Sequence, residues 1–284
     1  LQLVAMGAQT LTTVHGERAV LRHAEAPHHQ LVDLGFPSKV AGRLKRLVDV
    51  PQGLVLVTGP RDSGRSTISA ALVRQAAGLH RQVVVLSATD PGIPGAARVQ
   101  PGDAAQIQDI MRQDPDVVLI DGPADPATLA AAATGALEGR LVVLSAPGGR
   151  AVDACINAIS AGVDAWLLAA TLRASIGVRL VRTVCASCAA AHEPTPAELA
   201  EFGVQGARAD QATYKLGRGC SGCDGSGYAG RAMLAETLFA SSDLQAALRD
   251  GATAQSLTEL GRTDGFHTLW EDGIVRVLRG ETTF

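Results

Sequence analysis

The sequence predicts an α/β protein in which helices cover both faces of a parallel sheet. Apolar runs at 54–58, 117–121 and 141–145 have the length and continuous hydrophobicity of strands that are buried on both faces. Helices are predicted between them, at 65–77 and 126–138. Because parallel strands need long crossover connections, which are usually helical, this alternation favours a doubly covered α/β sheet.

The remaining elements follow from apolar spacing and turn residues. They are a β-hairpin over 10–22 with its turn at His15-Gly16, helices at 38–49, 104–113 and 151–161, and a strand at 83–87. After Arg182 the pattern changes, because 185–230 is rich in Cys, Gly and Pro. The predicted parts are a core at 1–182 with leading strands at 1–25, a cysteine-rich element at 183–232, and a segment of mostly short helices at 233–284.

Composition limits the function classes. The chain has 284 residues, 46% of them hydrophobic, which is enough for a substantial core. A net charge of −3 and an aromatic content of 3% disfavour nucleic-acid binding, which relies on basic patches and stacking surfaces. No apolar run approaches the ~18 residues of a membrane helix and no signal peptide is visible, so we expect a cytoplasmic protein.

Residues 59–67 carry a nearly complete phosphate-binding loop. They follow strand 54–58 and match the pattern G-x-x-x-x-G-K-[ST], except that Arg65 replaces the lysine. Backbone N–H groups of such a loop, together with the start of the next helix, can bind nucleotide phosphates. The residues expected to do so are Gly59, Ser63, Gly64, Arg65, Ser66 and Thr67, with Ser66 or Thr67 available for Mg²⁺. A glycine-rich turn without a ligand is the alternative.

Two features weaken this phosphate site. Arg65 keeps the positive charge of lysine but not its compact shape, and the exchange is not conservative at a tight site. Asp62 also places a carboxylate inside the loop, which disfavours phosphate electrostatically. The loop therefore predicts a nucleotide fold more strongly than it predicts hydrolysis.

The strand at 117–121 ends in a second candidate site residue. Asp121 would lie beside the phosphate loop, where it could bind Mg²⁺ directly or through water. Gly122 follows, so the glutamate that usually activates the attacking water is missing at that position. The alternative is that Asp121 only ends a buried strand.

Four of the five cysteines form two CxxC pairs, Cys185 with Cys188 and Cys220 with Cys223. Each CxxC turn can direct two thiolates at one ion, and two turns complete the tetrahedral set that Zn²⁺ prefers. Four protein ligands leave no open position, so a structural zinc is predicted. The gap between the pairs exceeds the usual ~15–20 residues of zinc ribbons. Four free thiols are the alternative, His192 is a competing ligand, and Cys155 is expected in the core.

In this order the motifs resemble those of the type II secretion and type IV pilus assembly ATPases, a branch of the RecA-like P-loop ATPases. The resemblance covers nearly the whole chain. The matching segments are 13–18 with Arg22 before the core, 53–60 at the Walker A loop, 112–116 before the Walker B strand, 179–182 before Cys185, 227–231 after the second cysteine pair, and 269–273 near the end.

The resemblance implies a RecA-like P-loop core with a small tetracysteine zinc insertion and C-terminal helices. It implies structural zinc and makes ATP with Mg²⁺ possible ligands. It also implies a homo- or hetero-hexamer with secretion ATPase subunits, which would contact inner-membrane platform proteins and so lie peripheral to the inner membrane. Nucleic acid is not an expected partner.

The positions that would carry hydrolysis depart from this family. By the resemblance, this chain has Arg65 in place of the phosphate-loop lysine and Ile93 in place of the acidic-box glutamate. It has Gly122 in place of the catalytic glutamate after Asp121, and Gly148 in place of the histidine of the histidine box. These four losses favour a degenerate ATPase that acts as a structural or regulatory subunit, so we lean towards a protein that is not an enzyme.

Two other functions stay open from the sequence. In an active but divergent ATPase, Asp121 would bind Mg²⁺, Asp90 would orient water and Arg65 would be the phosphate cation. The weaker alternative is a zinc-containing nucleic-acid module, which the composition disfavours.

Overall fold

The computed structural model describes residues 6–14, 16–23, 29–78, 80–122, 124–204 and 212–284. The strands are β1 (Met6–Thr13), β2 (Gly16–His23), β3 (Gly53–Gly59), β4 (Val83–Ser87), β5 (Ala97–Val99), β6 (Val117–Asp121), β7 (Leu141–Pro147), β8 (Leu172–Val184), β9 (Ala189–Ala191), β10 (Lys215–Gly217) and β11 (Tyr228–Phe239). The helices are α1 (Ser38–Asp49), α2 (Arg65–Ala77), α3 (Ala104–Met111), α4 (Pro126–Leu137), α5 (Ala151–Ser160), α6 (Ala165–Thr171), α7 (Pro196–Glu201), α8 (Ser242–Arg249), α9 (Ala254–Thr263) and α10 (Leu269–Leu278).

A seven-stranded sheet forms the centre, in the order β11-β8-β3-β7-β6-β4-β5. The six neighbouring strands β8-β3-β7-β6-β4-β5 pair in parallel, whereas β11 pairs antiparallel with β8. The α/β prediction is confirmed, but the expected parallel sheet is a mixed one. Strand β11 also crosses the predicted boundary at 232/233, in a region where mostly short helices were expected. It is a strand because it pairs with β8 along almost its whole length, a partner that local periodicity cannot reveal.

The sheet is buried on both faces. Alternate residues of β3 point to opposite sides, so Leu54 and Leu56 join the core beneath α3–α6, α8 and α9, while Val55 and Val57 join the core beneath α1 and α2. Burial on both faces explains why the strands read as continuous apolar runs rather than alternating ones.

The predicted hairpin is present as β1 and β2, with Thr13 opposite Gly16. The predicted turn residue His15 lies outside the described residues. Among the residues that the structure describes, no helix is long and apolar enough to cross a membrane.

The carboxyl ends of the parallel strands meet at one edge, which is where ligands bind in open α/β sheets. Gly59 ends β3 opposite Pro147 of β7, and Asp121 ends β6 opposite Ser145. The sheet register therefore brings the phosphate loop, Asp121 and the loop after β7 together, although they are distant in sequence.

Candidate functional site

The loop from β3 to α2 is shaped by two glycines. Gly64 directly precedes α2 with a φ of 93°, a left-handed conformation that glycine adopts at little cost. A Cβ atom at Gly59 would lie 2.7 Å from the carbonyl oxygen of Val178 in β8, so only glycine fits there. Asp62 has a φ of 59°, which is uncommon for a residue with a side chain.

The residues predicted to bind phosphate differ in their burial. Ser63 is only 4% exposed and its hydroxyl has no hydrogen-bond partner among the described residues, an arrangement that costs free energy unless a ligand satisfies it. Thr67 and Arg65 are half-buried at the start of α2, and Ser66 is exposed. The loop therefore has features that fit a phosphate group: free helix N–H groups, a cation and one orphaned buried hydroxyl.

Arg65 and Asp121 are electrostatic neighbours. Burial lowers the pKa of the Arg65 guanidinium, and the nearby Asp121 carboxylate partly offsets this by raising that pKa. An arginine keeps its proton at neutral pH despite such shifts. The candidate phosphate cation and the candidate Mg²⁺ ligand thus lie at the same edge of the sheet.

The position after Asp121 has little room for a side chain. A Cβ atom at Gly122 would lie 2.8 Å from Cβ of Pro101, and a proline ring cannot rotate away. Pro101 therefore occupies the space that a glutamate at 122 would need.

The segment that resembles an acidic box is held in the fold by other contacts. Ile93 is 7% exposed and packs in the apolar core on the α1–α2 face. The Asp90 carboxylate accepts a hydrogen bond from the Gly92 N–H at 2.8 Å, and Arg74 of α2 donates to the Pro91 carbonyl at 2.8 Å. The acid at 90 thus stabilises a turn, and the residue at 93 is part of the core.

The loop after β7 touches the phosphate loop through its backbone. The Gly148 N–H donates to the Gly59 carbonyl at 3.1 Å. A Cβ atom at Gly148 would collide with the Thr58 hydroxyl. A histidine at this position would require β3 or Thr58 to move.

The four predicted cysteines come together in one cluster. Their sulfur atoms all lie within 4.8 Å of one another. Neighbouring sulfurs are 3.9 Å apart for Cys185 and Cys220, 3.8 Å for Cys188 and Cys223, and 3.7 Å for Cys220 and Cys223. A tetrahedral site with Zn–S bonds of about 2.3 Å places sulfurs about 3.8 Å apart. The cluster could therefore bind a metal, and its donor set and size fit zinc.

Backbone donors favour a thiolate in this cluster. The N–H groups of Cys220 and Gly227 donate to Cys223 Sγ at 3.2 and 3.3 Å, and they lower the pKa of Cys223 to about 6. Burial instead raises the pKa of Cys188 to about 12. His192, the competing ligand, lies outside the cluster, with its Nε2 atom 3.6 Å from Glu198.

Cys155 lies apart from this cluster. It is fully buried in α5, and burial raises the pKa of its thiol to about 12. It is therefore a core residue, as predicted.

Sequence reasoning missed three residues that shape this edge: Pro101, Thr58 and Glu236. Pro101 and Thr58 carry no local signal, because they matter only through contacts with distant glycines. Glu236 had a signal, since it is the one charged residue in the otherwise uncharged run Met233–Phe239. A lone acid in such a run is a candidate for a buried acceptor with a specific partner.

The fold is shared with a solved ATPase and a solved pilus motor. The structure superposes on the Legionella pneumophila ATPase DotB with a TM-score of 0.67 and 16% identity, covering 98% of this chain and 70% of that chain. It superposes on the pilus retraction motor PilT, solved with bound ADP, with a TM-score of 0.62 and 18% identity, covering 94% and 72%.

The family described as "Type II/IV secretion system protein" matches residues 2–284, so this chain belongs to that family. It is similar to the type IV pilus assembly ATPase PilB of Thermus thermophilus, with 32% identity over 99% of this chain and 32% of that protein. It is also similar to the type II secretion system protein HxcR of Pseudomonas aeruginosa, with 31% identity over 96% of this chain and 56% of that protein. The chain is homologous to both relatives and spans about a third of the first and somewhat over half of the second.

Proposed function

We propose that this chain is a degenerate member of the secretion and pilus ATPase family. It serves as a structural or regulatory subunit of a type II secretion or type IV pilus motor and retains at most residual ATP binding. The observation that carries this proposal is that other parts of the fold fill the catalytic positions implied by the resemblance. Ile93 packs in the core, a Cβ atom at position 122 would lie 2.8 Å from Cβ of Pro101, and a Cβ atom at position 148 would collide with the Thr58 hydroxyl.

Loss of these side chains matters because phosphoryl transfer depends on positioned charges. Enzymes of this kind stabilise charge on the transferred group and orient a nucleophile, and they contribute little covalent chemistry. A site without the glutamates and the histidine keeps the loop but lacks the groups that polarise water. The contacts of Gly122 and Gly148 indicate that restoring one side chain also requires a neighbour to move.

The phosphate loop supports residual nucleotide binding within a RecA-like P-loop core. The proposed ligands of the phosphates are Gly59, Ser63, Gly64, Arg65, Ser66 and Thr67, with Asp121 as a candidate Mg²⁺ ligand. The orphaned hydroxyl of Ser63 and the N–H groups at the start of α2 support this assignment. When bound, Mg-ATP would supply the phosphate charge that these groups neutralise.

The tetracysteine element is proposed to hold a structural zinc through Cys185, Cys188, Cys220 and Cys223. Sulfur spacing and donor type support this assignment. The metal would join the two ends of the connection between β8 and β11, because Cys185 directly follows β8 and Cys223 lies shortly before β11. The Cys185 N–H also donates to the Gly227 carbonyl, just before β11.

The division into a core (1–182), a zinc element (183–232) and a C-terminal segment (233–284) also remains a proposal. We further propose a homo- or hetero-hexamer with secretion ATPase subunits. Such an assembly would be cytoplasmic, peripheral to the inner membrane, and in contact with platform proteins there. The names of the relatives support the link to secretion and pilus assembly, whereas the hexamer and its position at the inner membrane rest on the family resemblance of the sequence motifs.

Steady-state ATPase measurement on the full chain tests the proposal. We expect no Mg²⁺-dependent turnover above that of a matched Arg65→Ala variant. Turnover that depends on Mg²⁺ and disappears in Arg65→Ala would contradict it. That result would favour the second candidate, an active divergent ATPase with Asp121, Asp90 and Arg65 in the roles given above. The electrostatic proximity of Arg65 and Asp121 is the observation that favours this candidate.

A further inference from the structure

Glu236 is a buried acid at the junction of three elements. It lies in β11 opposite Gly177 of β8 and is 1% exposed. A Cβ atom at Gly177 would lie 2.9 Å from both Cγ and Oε1 of Glu236, so the missing side chain makes room for the carboxylate. A charged group buried to this degree needs specific partners.

Its two oxygens bind the starts of two different helices. Oε1 accepts a hydrogen bond from the N–H of Ala151, the first residue of α5. Oε2 accepts one at 3.0 Å from the N–H of Leu269, the first residue of α10. The first N–H groups of a helix have no partner within the helix and carry partial positive charge. One carboxylate therefore caps both helices at once.

The α5 end of this bridge is connected to the phosphate loop. Helix α5 begins directly after the loop 148–150, and Gly148 donates its N–H to the Gly59 carbonyl at 3.1 Å. Arg179 of β8 also donates to the Gly149 carbonyl, at 3.4 Å. A continuous set of contacts thus runs from Gly59 to α5, and through Glu236 to α10.

We infer that Glu236 is a positioning residue that couples the loop after β7 to the C-terminal helices. When the loop moves, the start of α5 moves with it, and the shared carboxylate carries the displacement to the start of α10. The shared carboxylate supplies a contiguous set of contacts between the two helix starts, and coupling further requires that a change at the loop alter the start of α10, which the exchange measurements below test. The bridge from α5 through Glu236 to α10 contains none of the proposed phosphate ligands, so it does not depend on nucleotide binding.

Amide hydrogen exchange of the full chain, measured by NMR, tests the bridge. In Glu236→Ala we expect exchange of both the Ala151 and the Leu269 amides to accelerate about tenfold or more, because both lose a hydrogen bond to a charged group. In Glu236→Gln only one side-chain oxygen remains as acceptor, so we expect one of the two amides to keep its protection.

Glu271→Ala is the matched control. The Glu271 carboxylate caps the same helix α10 by accepting from the Thr268 N–H at 2.8 Å, and among the described residues its other hydrogen-bond and ion-pair partners are Arg262 and the Thr268 hydroxyl, none of them in α5. We expect faster exchange of the Thr268 amide and unchanged exchange at Ala151. If Glu236→Ala gives the same pattern as this control, the bridge is wrong.

Gly148→Ala tests the coupling. The added methyl group collides with Thr58 and should displace the loop. We expect it to change exchange at Leu269 about threefold or more in the parent chain, and to have no effect there in a Glu236→Gln background. Unchanged Leu269 exchange in the parent chain, or an equal change in both backgrounds, overturns the inference.

If Glu236→Ala does not fold, Glu236→Gln carries the test of the bridge, and equal protection of the Ala151 and Leu269 amides in that variant counts against the bridge.

Discussion

The tetracysteine cluster and the carboxyl edge of the sheet are two candidate sites in the same chain, and they differ in completeness. In the cluster, all four predicted ligands lie within 4.8 Å of one another. At the sheet edge, the phosphate loop and Asp121 come together, but Ile93 is in the core and Gly122 is packed against Pro101.

This difference follows from how each site is built. The cluster needs four identical side chains on two short turns, so two local motifs are sufficient. A hydrolytic site needs different charged groups from several strands, and each loses its role when a neighbour fills its space. A fold can therefore keep its metal element and its loop while losing the groups that act on water.

The largest expected effect is at the cluster. Cys223→Ser should abolish stoichiometric zinc and lower the free energy of unfolding by about 4 kcal/mol or more, since loss of a metal site is among the most destabilising changes. Metal analysis and thermal unfolding of the reduced protein measure both. Cys155→Ser is the matched control, because this thiol lies outside the cluster, and it should keep one zinc per chain. A parent chain without zinc would remove the contrast between the two sites.

At the sheet edge, Gly122→Glu should destabilise the chain without restoring ATPase activity. Forcing a side chain against Pro101 costs about 1–3 kcal/mol. Pro101→Gly combined with Gly122→Glu should recover part of this loss in denaturant unfolding, because glycine removes the Cβ atom that would lie 2.8 Å from the new side chain, while Pro101→Gly alone gives the reference. If Gly122→Glu alone is as stable as the parent chain and hydrolyses ATP, the sheet edge is not blocked.

The pH dependence of Glu236 gives a smaller effect. Burial raises the pKa of this carboxyl above its ordinary value of 4.5, so the folded state holds the proton more tightly than the unfolded state. The stability from this group is present below pH 4.5 and is lost as the pH rises through the folded pKa. The free energy of unfolding, relative to Glu236→Gln, should therefore fall as the pH rises from 4.5. A rise over the same range would contradict the raised pKa.

The smallest effect is expected for Arg65→Lys. This change restores the lysine of the phosphate-loop pattern but leaves Ile93, Gly122 and Gly148 in place. ATPase turnover should stay at the level of the parent chain, and nucleotide titration should show at most a modest gain in affinity. Turnover well above the parent would mean that the loop alone limits hydrolysis.

Much of the α/β core could be predicted, because buried parallel strands have a strong local signature. The predicted starts of the helices at 65, 104, 126 and 151 agree with those of α2, α3, α4 and α5. Strand β11 was not predicted, because its partner β8 lies far away in sequence. The contacts of Pro101 with Gly122 and of Thr58 with Gly148 were equally invisible, since they join residues from separate loops and strands.

The sequence by itself determined the family, the phosphate-loop pattern and the identity of the four cysteines, because each depends on residue types at short spacings. Only the tertiary structure decided that β11 completes a mixed sheet, that Pro101 fills the space beside Gly122, and that Glu236 caps two helices. The physical reason is that these features depend on strand pairing and side-chain packing between distant segments. Such contacts form only when the chain is folded.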